Sequence, residues 1–423
     1  MAEIKPFKGT FYNQSKINLG NVVAPPYDVI NEEYQNKLYE KSDENIVRLI
    51  LGREADRYNS AKLFLDKWIS ENILIKDSQE SIYLLSQSFK NLKGNLITRS
   101  GIIALCKLEE FDKKIILPHE KTLSKPKEDR FNLISKTKTN FDQIFGIYED
   151  ETLTAEKIYQ NYFSQTPFIE VEFENVVNKI WKITNQNEIQ ILTQLVKNKK
   201  VYIADGHHRY ETALDYRNYQ KENKSNSFDS EFVTMFFTNL SDNNLVVFPT
   251  HRVIHSLSDF NWDSLQYKLS DHFKINICKS IVELEEKLEE KGSFSLGIIV
   301  SSIEKYFIIK LKDISKIDTI LSKNLPNELK SLDITLLHNY ILEKLLGIDI
   351  AAQEKKIYIK YIQNVYECEN KILTGDSQIA FIMNPTTINQ LKSVANIGFT
   401  MPQKSTFFYP KLISGLVLRI LEN

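Results

Sequence analysis

The sequence predicts a mixed α+β fold divided into two domains. Strand-like apolar segments alternate with amphipathic helical segments between residues 176 and 254, which is a β/α pattern. Beyond about residue 256 the composition shifts towards helices rich in Glu and Lys, followed by further strands. With 423 residues, the chain is long enough for each domain to bury its own core. We therefore predict an N-terminal α+β domain over residues 1–256 and a C-terminal α+β domain over residues 257–423.

The first hundred residues alternate short strand and helix signals. The stretch VAPPYDVI predicts a turn after an apolar strand, because each proline fixes φ and lacks an amide donor. Apolar residues between Asn59 and Asn72 recur at helical spacing, and NIVRL forms a strand-like run around Arg48. SIYLLSQSF and LITRSGIIALCKLEEF predict a pair of strands. The lysine-rich segment that follows shows no amphipathic pattern before Arg130, so we predict a loop and then a helix.

The remaining elements follow from period and composition. We predict strands and helices in this order: strand 179–184, helix 187–198, strand 199–204, helix 208–223, strands 232–240 and 244–254, helix 280–292, a strand pair over 293–312, a long helix over 332–347 and a helix-like end at 412–421. The Ser- and Asn-rich stretch at 221–231 is typical of a surface loop.

Composition excludes several classes of protein. The chain carries 54 Lys+Arg against 55 Asp+Glu, so no net basic field would attract nucleic acid or an anionic membrane. Three widely spaced cysteines do not form a disulfide framework or a zinc motif. The N-terminus lacks a signal-peptide pattern, and the apolar runs are too short to span a bilayer. We predict a cytoplasmic protein with no nucleic-acid or membrane partner, and the sequence leaves its oligomeric state undetermined.

The run Asp205-Gly206-His207-His208-Arg209 lies between a predicted strand and a predicted helix. The start of a helix offers unpaired amides and the positive end of its dipole, so it suits an anion. Gly206 allows close approach, Arg209 can bind two phosphate oxygens, and the histidines can donate or move a proton. Asp205 can cap the helix or hold Mg²⁺. The alternative is purely structural: Asp205 caps the helix, Gly206 relieves the turn and the histidines cover a surface.

Five motifs carry a resemblance to a family. VAPPYDVI, NIVRLILG, LPHEKT, ADGHHRYETAL and MPQKSTFFYPK, in this order from near Lys5 to near Pro410, resemble the bacterial domain-of-unknown-function family 1015. The strand-DGHHR-helix unit is also similar to the strand-DGH-x-R-helix unit of free serine kinases in the ParB/sulfiredoxin superfamily. This local resemblance implies a ParB/sulfiredoxin-like unit that binds the phosphate of a nucleotide or of a phosphorylated amino acid.

Three further segments supply candidate site residues. LPHEKTLSKPKEDR offers Glu120 as a general base, with His119, Lys121 and Arg130 on the phosphate; the alternative is a solvated charged loop. Asp28 follows the Pro-Pro turn and is either a second Mg²⁺ ligand or a cap. Arg252, at the end of another strand, is a further candidate for phosphate or nucleotide binding.

We expect a small-molecule phosphotransfer enzyme that acts on L-serine or O-phosphoserine, with Mg²⁺ and with ATP or ADP as cofactors. Asp205, His207, His208 and Glu120 are the expected catalytic residues, and Gly206 and Arg209 bind the phosphate. One alternative is a phosphoserine phosphatase that uses the same site. Another is a non-catalytic nucleotide-binding sensor or regulatory protein.

Overall fold

The computed structural model describes residues 1–91, 93–223, 228–303 and 305–422. The predicted mixed α+β class is confirmed. Part of the loop predicted at 221–231, residues 224–227, lies outside the described residues. Within the described ranges, no helix is long and apolar enough to cross a membrane.

The helices, in chain order, are α1 (Leu19–Val22), α2 (Glu32–Lys41), α3 (Val47–Ile50), α4 (Arg57–Ser70), α5 (Ser124–Thr137), α6 (Thr154–Phe163), α7 (Gln186–Lys197), α8 (His207–Glu222), α9 (Trp262–Ser270), α10 (Ile281–Lys291), α11 (Ile317–Ile320), α12 (Asn327–Lys330), α13 (Asp333–Leu336), α14 (Ile350–Glu354), α15 (Val365–Leu373) and α16 (Ile388–Asn396). A 3₁₀ helix covers Tyr27–Val29, and a π-helix covers Leu337–Leu345.

The strands are β1 (Ile4–Lys5), β2 (Thr10–Tyr12), β3 (Leu74–Lys76), β4 (Ile82–Lys90), β5 (Leu96–Lys107), β6 (Ile116–Leu117), β7 (Thr139–Asn140), β8 (Ile144–Tyr148), β9 (Ile169–Phe173), β10 (Val176–Ile183), β11 (Val201–Asp205), β12 (Phe232–Asn239), β13 (Val246–Phe248), β14 (His251–Ile254), β15 (Phe273–Cys278), β16 (Ser295–Val300), β17 (Lys305–Leu311), β18 (Ile359–Ile362), β19 (Ile379–Ile382), β20 (Phe407–Tyr409) and β21 (Arg419–Ile420).

The described chain divides into two compact units that are discontinuous in sequence. The first unit contains Met1–Pro118, Thr122–Val246 and Phe408–Asn423, and the second contains His119–Lys121 and Val247–Phe407. The sequence analysis placed a boundary at residue 256 between two continuous domains. The observed units divide at Val246 instead, and the C-terminal segment belongs to the first unit.

In the first unit, the described strands form a mixed sheet with the order β6-β11-β8-β12-β5-β4-β10-β9, and β1 pairs with β5. The predicted strand pair is confirmed, because β4 and β5 are antiparallel over eight paired positions from Tyr83–Ile103 to Lys90–Leu96. The sheet is buried because its strands carry apolar side chains such as Ile82, Ile102 and Ile203, which pack with α7 and α8. β11 ends at the site described below.

In the second unit, the described strands form an antiparallel sheet with the order β15-β17-β16-β19-β14-β18. Its core packs α10 and α15 against the sheet through side chains such as Leu284, Cys368 and Ile299. The helix predicted over 332–347 is present, but as α13 followed by the π-helix.

Four local predictions are wrong. The run around Arg48 is helix α3, and the segment before VAPPYDVI is helix α1, not a strand. Helix α5 begins at Ser124 and not at Arg130, because a proline within the first helical turn does not interrupt hydrogen bonding. The C-terminal stretch 412–421 is not helical and ends in β21, which pairs with β7.

Candidate functional site

The candidate site lies in the first unit, at the turn between β11 and α8, so the Asp205–Arg209 run follows a strand and opens a helix. Residues 201–204 of β11 are buried, and the chain leaves the strand at the partly exposed Asp205. Gly206 precedes the first residue of α8 with φ +91°, a backbone conformation that residues with a Cβ rarely adopt. The N-cap residue is Gly206 itself, which has no side chain that could cap the helix. The positive end of the α8 dipole lies at this turn and favours a negative charge there.

Arg209 lies against this turn. A Cβ at Gly206 would sit only 3.0–3.1 Å from the Arg209 guanidinium, so glycine is what lets the arginine approach the backbone. Arg209 Nη1 donates to the carbonyl of Gln143 at 2.6 Å, and Nη2 donates to Asp205 Oδ2 at 3.2 Å. Burial lowers the pKa of Arg209, but nearby carboxylates, led by Asp205 and Asp142, outweigh it and hold that pKa above its usual value. Arg209 is therefore a fixed, charged group.

Asp205 is surrounded by cations. Lys411 Nζ donates to Asp205 Oδ1 at 3.0 Å, and Arg209 binds the other carboxylate oxygen. Arg99, on β5, is buried and donates to the carbonyl of Pro410 at 2.6 Å. Burial lowers the pKa of Arg99 to about 9, and the Asp205 carboxylate offsets part of that shift. The Asp205 carboxylate thus lies next to three cations, two of which donate to it directly.

The Pro-Pro turn and α5 reach the same place. The Arg130 guanidinium lies 4.0 Å from the ring centroid of Tyr27, which is a cation–π contact. Burial raises the pKa of Tyr27 to about 12, while the charges of Arg130 and Arg209 act in the opposite direction. Asp28 also contributes to the field at Arg209. The structure therefore brings together Asp28, Arg130 and the 205–209 turn, which the sequence analysis had named separately.

A small cavity of about 50 Å³ lies beside these groups. Arg130, Asp142 and Arg209 are among the residues that line it. Asp142 Oδ1 is buried and has no hydrogen-bond partner among the described residues. The cavity has room for a few water-sized groups and is far too small for a nucleotide. Its mixed charge suits a group that carries both signs.

The two histidines occupy the first turn of α8. His207 is buried, whereas His208 is half-buried and its Nε2 accepts a hydrogen bond from the Leu123 amide at 2.9 Å. In neutral His208 the proton therefore lies on Nδ1. Glu211, one turn later, accepts from Thr122 Oγ1 at 2.7 Å and from Lys127 Nζ at 2.9 Å. These bonds fix the segment before α5 on α8.

The described residues do not form a preassembled metal site. They contain no group of three or more His, Cys, Asp or Glu side chains that could hold a metal ion. Both carboxylate oxygens of Asp205, a predicted ligand, accept from cationic donors, which would oppose a cation there. The chain's own residues thus do not fit a resident Mg²⁺ at Asp205, and a role for Asp28 in metal binding stays a prediction.

The other predicted site residues belong to the second unit. His119 is buried, and its Nε2 lies 2.8 Å from Thr406 Oγ1. Glu120 Oε1 accepts from the Ser405 amide at 3.2 Å, while Lys121 lines a cavity of that unit. Arg252 is buried and donates to His338 Nε2 at 3.2 Å and to the carbonyl of Lys404 at 2.8 Å. These contacts join Arg252 to other buried parts of the second unit. The role of Arg252 in nucleotide binding and the role of Glu120 as a general base stay predictions.

Three groups of the site were missed from the sequence. Arg99 interrupts the apolar strand β5, and a buried arginine in such a strand needs a specific partner. Lys411 lies 206 positions from Asp205 in the chain, and no local pattern connects them. Asp142 stands in a short polar stretch between two strands and carries no signal of its own.

Comparisons with known proteins give fold-level similarity and a family. No curated protein matches the sequence. A conserved hypothetical protein from Pyrococcus furiosus is 12% identical, with a TM-score of 0.37, over 76% of this chain and 95% of that chain. A free serine kinase in complex with AMP is 12% identical, with a TM-score of 0.39, over 76% of this chain and 91% of that chain. SbnI with a C-terminal truncation from Staphylococcus aureus is 11% identical, with a TM-score of 0.35, over 74% and 86% of the two chains. At these TM-scores the similarities carry no argument about activity.

A family model, by contrast, covers most of the chain. The model described as protein of unknown function (DUF1015) matches residues 4–335. This confirms the family resemblance; four of the five motifs lie within the matched residues, and MPQKSTFFYPK, which begins at Met401, lies beyond them. The chain belongs to the DUF1015 family.

Proposed function

We propose that this protein binds a phosphate group at the turn Asp205–Arg209 and transfers phosphate to or from a small amino acid, with L-serine and O-phosphoserine as the substrate pair. One observation carries the proposal. Arg209 and Lys411 both donate to the Asp205 carboxylate at the start of helix α8, whose N-cap residue is a glycine. Cationic side chains next to a helix N-terminus favour an added anion.

The binding step follows from these contacts. A phosphate at the turn would accept hydrogen bonds from the first amides of α8 and would share Arg209 and Lys411 with Asp205. Charge-assisted bonds of this kind are worth about 1.5–3 kcal/mol each. The guanidinium is already held by Gln143, so little conformational entropy is lost when the phosphate binds.

The choice of an amino acid substrate rests on the neighbouring carboxylates. O-phosphoserine carries an ammonium group as well as a phosphate. Asp142, whose buried Oδ1 has no hydrogen-bond partner among the described residues, lines the same cavity as Arg209, so the ammonium of the substrate would bind Asp142 while its phosphate binds the turn. The motif resemblance to free serine kinases supports the same substrate.

The chemical step needs a base and charge stabilisation. His208 Nε2 already accepts from the Leu123 amide, which fixes the ring orientation and presents Nδ1 as the nitrogen that can donate to a phosphate oxygen. Glu120 remains the proposed general base for the attacking hydroxyl. Mg²⁺ and ATP or ADP remain proposed cofactors; the metal would enter with the nucleotide phosphates, because Mg²⁺ is commonly held by phosphates and one or two carboxylates.

The test is a coupled assay with purified protein and Mg²⁺. The protein is offered L-serine with ATP or ADP, or O-phosphoserine alone, and Arg209→Ala and Glu120→Gln are assayed alongside it. Phosphoserine formation that both substitutions abolish supports a kinase. Phosphate release from O-phosphoserine without nucleotide supports the phosphatase alternative. Phosphate binding that Arg209→Ala removes, with no turnover in any mixture, would exclude an enzyme acting on serine and favour a sensor.

The substitution Asp142→Asn tests the ammonium contact of the substrate separately from its phosphate contact. It should weaken binding of O-phosphoserine by about 10-fold or more while leaving binding of inorganic phosphate within about 3-fold, because only the ammonium contact is lost. Equal losses for both ligands would refute the assignment of Asp142 to the ammonium group.

A further inference from the structure

The second unit contains a cavity of its own that the proposed function does not use. Its volume is about 320 Å³, which is within the size range of small-molecule sites. Apolar side chains form much of the wall, including Leu325, Leu329, Ile350 and Met401. The family match ends at residue 335, so most of this wall lies beyond it.

Three rings line the cavity and favour a planar ligand. They belong to His338, Tyr361 and Phe399, and Phe399 is 47% exposed although it is a large apolar side chain. Aromatic walls stack on flat aromatic molecules, and stacking adds about 0.5–1.5 kcal/mol beyond the burial of apolar area. An exposed Phe at a cavity mouth is therefore explained by a ring that covers it.

The polar part of the wall is neutral and held rigidly from behind. Arg252 Nε donates to His338 Nε2 at 3.2 Å, so His338 Nδ1 must carry the proton that it donates to Gln353 Oε1 at 2.7 Å. Burial, with the charge of Arg252, lowers the pKa of His338 to about 3. Gln353 Nε2 in turn donates to the carbonyls of His338 and Ile348. This network presents an uncharged, pre-organised surface to a ligand.

Two polar side chains of the wall are suited to recognise the ligand. Thr335 is 2% exposed, and its Oγ1 is buried with no hydrogen-bond partner among the described residues. Asn339 lines the cavity from the π-helix, and π-helical turns are found frequently at functional sites. An amide next to a hydroxyl provides paired donors and acceptors.

The charges on the wall balance each other. Among the lining residues, Lys121 supplies one positive charge and Glu354 one negative charge, and both side chains are largely exposed. The side chains that line the cavity therefore carry no net charge.

We infer that this cavity binds a neutral, planar heteroaromatic molecule of the nucleoside class. The ring would stack against Phe399, and its polar edge would bind Asn339 and the hydroxyl of Thr335. The inference does not rest on the proposed function of the first unit, because it uses residues of the second unit alone.

The experiment is a titration of the full chain by calorimetry with adenosine, guanosine, cytidine and uridine. Each 5′-monophosphate is titrated in parallel, and ribose and indole serve as probes that lack the ring or its polar edge. At least one nucleoside should bind, and its monophosphate should bind within about 10-fold of the same affinity. Binding of the monophosphates without any nucleoside, or binding of indole as tight as that of the best nucleoside, would overturn the inference.

Thr335→Val supplies a test with two readouts. It should weaken nucleoside binding by about 3- to 10-fold, the value of one neutral hydrogen bond. It should also raise the Tm of the ligand-free protein by about 2–4 °C, because a buried hydroxyl without a partner is removed. The matched control is Thr319→Val, at an exposed threonine outside the cavity, which should change neither value.

Two further variants keep the outcome clear. Asn339→Leu should weaken nucleoside binding about as much as Thr335→Val, whereas Arg209→Ala, in the first unit, should leave it within about 2-fold. Nucleoside binding that persists in both Thr335→Val and Asn339→Leu, or that is lost in Arg209→Ala, would place the ligand elsewhere and refute the site.

Discussion

Replacing Asp205 with Asn tests the charge balance of the candidate site directly. The carboxylate binds Lys411 Nζ at 3.0 Å and Arg209 Nη2 at 3.2 Å, and these side chains are mostly buried: 20% of Asp205, 16% of Lys411 and 11% of Arg209 is exposed. Without the negative charge, both cations and the nearby Arg99 lose their shared partner. The free energy of unfolding should therefore fall.

The magnitude lies between two limits. Removing one partner of a fully buried ion pair costs about 3–5 kcal/mol, and removing one from an exposed pair costs about 0–1 kcal/mol. Since Asp205 is one-fifth exposed and Asn can still accept one hydrogen bond, we expect a loss of about 2–3 kcal/mol. In a unit of this size that loss lowers the Tm by roughly 4–12 °C.

Phosphate should reverse part of the loss. A ligand present at ten times its Kd stabilises the folded state by about 1.4 kcal/mol. The variant should bind phosphate more tightly than the wild type, because the anion no longer competes with a carboxylate for Arg209 and Lys411. Phosphate should thus stabilise Asp205→Asn more than it stabilises the wild type.

The assay is urea unfolding in chloride buffer with and without inorganic phosphate. Asp215→Asn, at an exposed aspartate on the same helix, is the matched control and should lie within about 0.5 kcal/mol of the wild type. An equally small change in Asp205→Asn, or equal stabilisation of both proteins by phosphate, would refute the account of the cation cluster.

Three other results are expected. Gly206→Ala should lower the free energy of unfolding by about 1–2 kcal/mol and weaken phosphate binding, because alanine would be forced to φ +91° and its Cβ would meet the Arg209 guanidinium. Gly375→Ala, at φ +77° with open space around it, should lower the free energy of urea unfolding by a similar amount and leave phosphate binding unchanged. Burial raises the pKa of Asp333 to about 6, so its stabilising contribution is complete below about pH 4 and is lost as the pH rises through 6. Asp333→Asn should remove this pH dependence from the free energy of urea unfolding between pH 4 and 7, and a variant with the same pH dependence as the wild type would contradict the raised pKa. Burial lowers the pKa of His251 and of His338 to about 3, so the stability that the neutral rings contribute is present above pH 6.5 and is lost towards pH 3. NMR should show both rings neutral at pH 5, and titration of either ring near pH 6.5 would contradict the structure.

The parts of the fold that could be predicted are those in which apolar residues recur at the spacing of a helix or a strand. β10, α7, β11 and α8 were predicted within a few residues; apolar patterning marks the two strands and α7, whereas α8 has no distinct apolar face. The DGHHR run was placed correctly at a strand end because a strand and a helix flank it closely. Short apolar runs gave no such distinction, so helix α3 was predicted as a strand.

The remaining parts depend on contacts between distant segments. Phe408–Asn423 returns to the first unit and brings Lys411 to Asp205, which no local pattern indicates. The π-helix at Leu337–Leu345 was read as an ordinary helix, because its side-chain pattern is apolar over most of its length. The separate candidates Asp28 and Arg130 could be named from the sequence, but only the fold shows that both lie near Arg209.

The most direct measurement is a calorimetric titration of wild-type protein and Arg209→Ala with O-phosphoserine, with unphosphorylated serine as the control ligand. The account predicts that the wild type binds O-phosphoserine and that Arg209→Ala weakens this binding by about 10-fold or more, while binding of serine changes by less than about 3-fold. The same affinity for O-phosphoserine in both proteins would show that the turn at 205–209 does not bind the phosphate and would contradict the account.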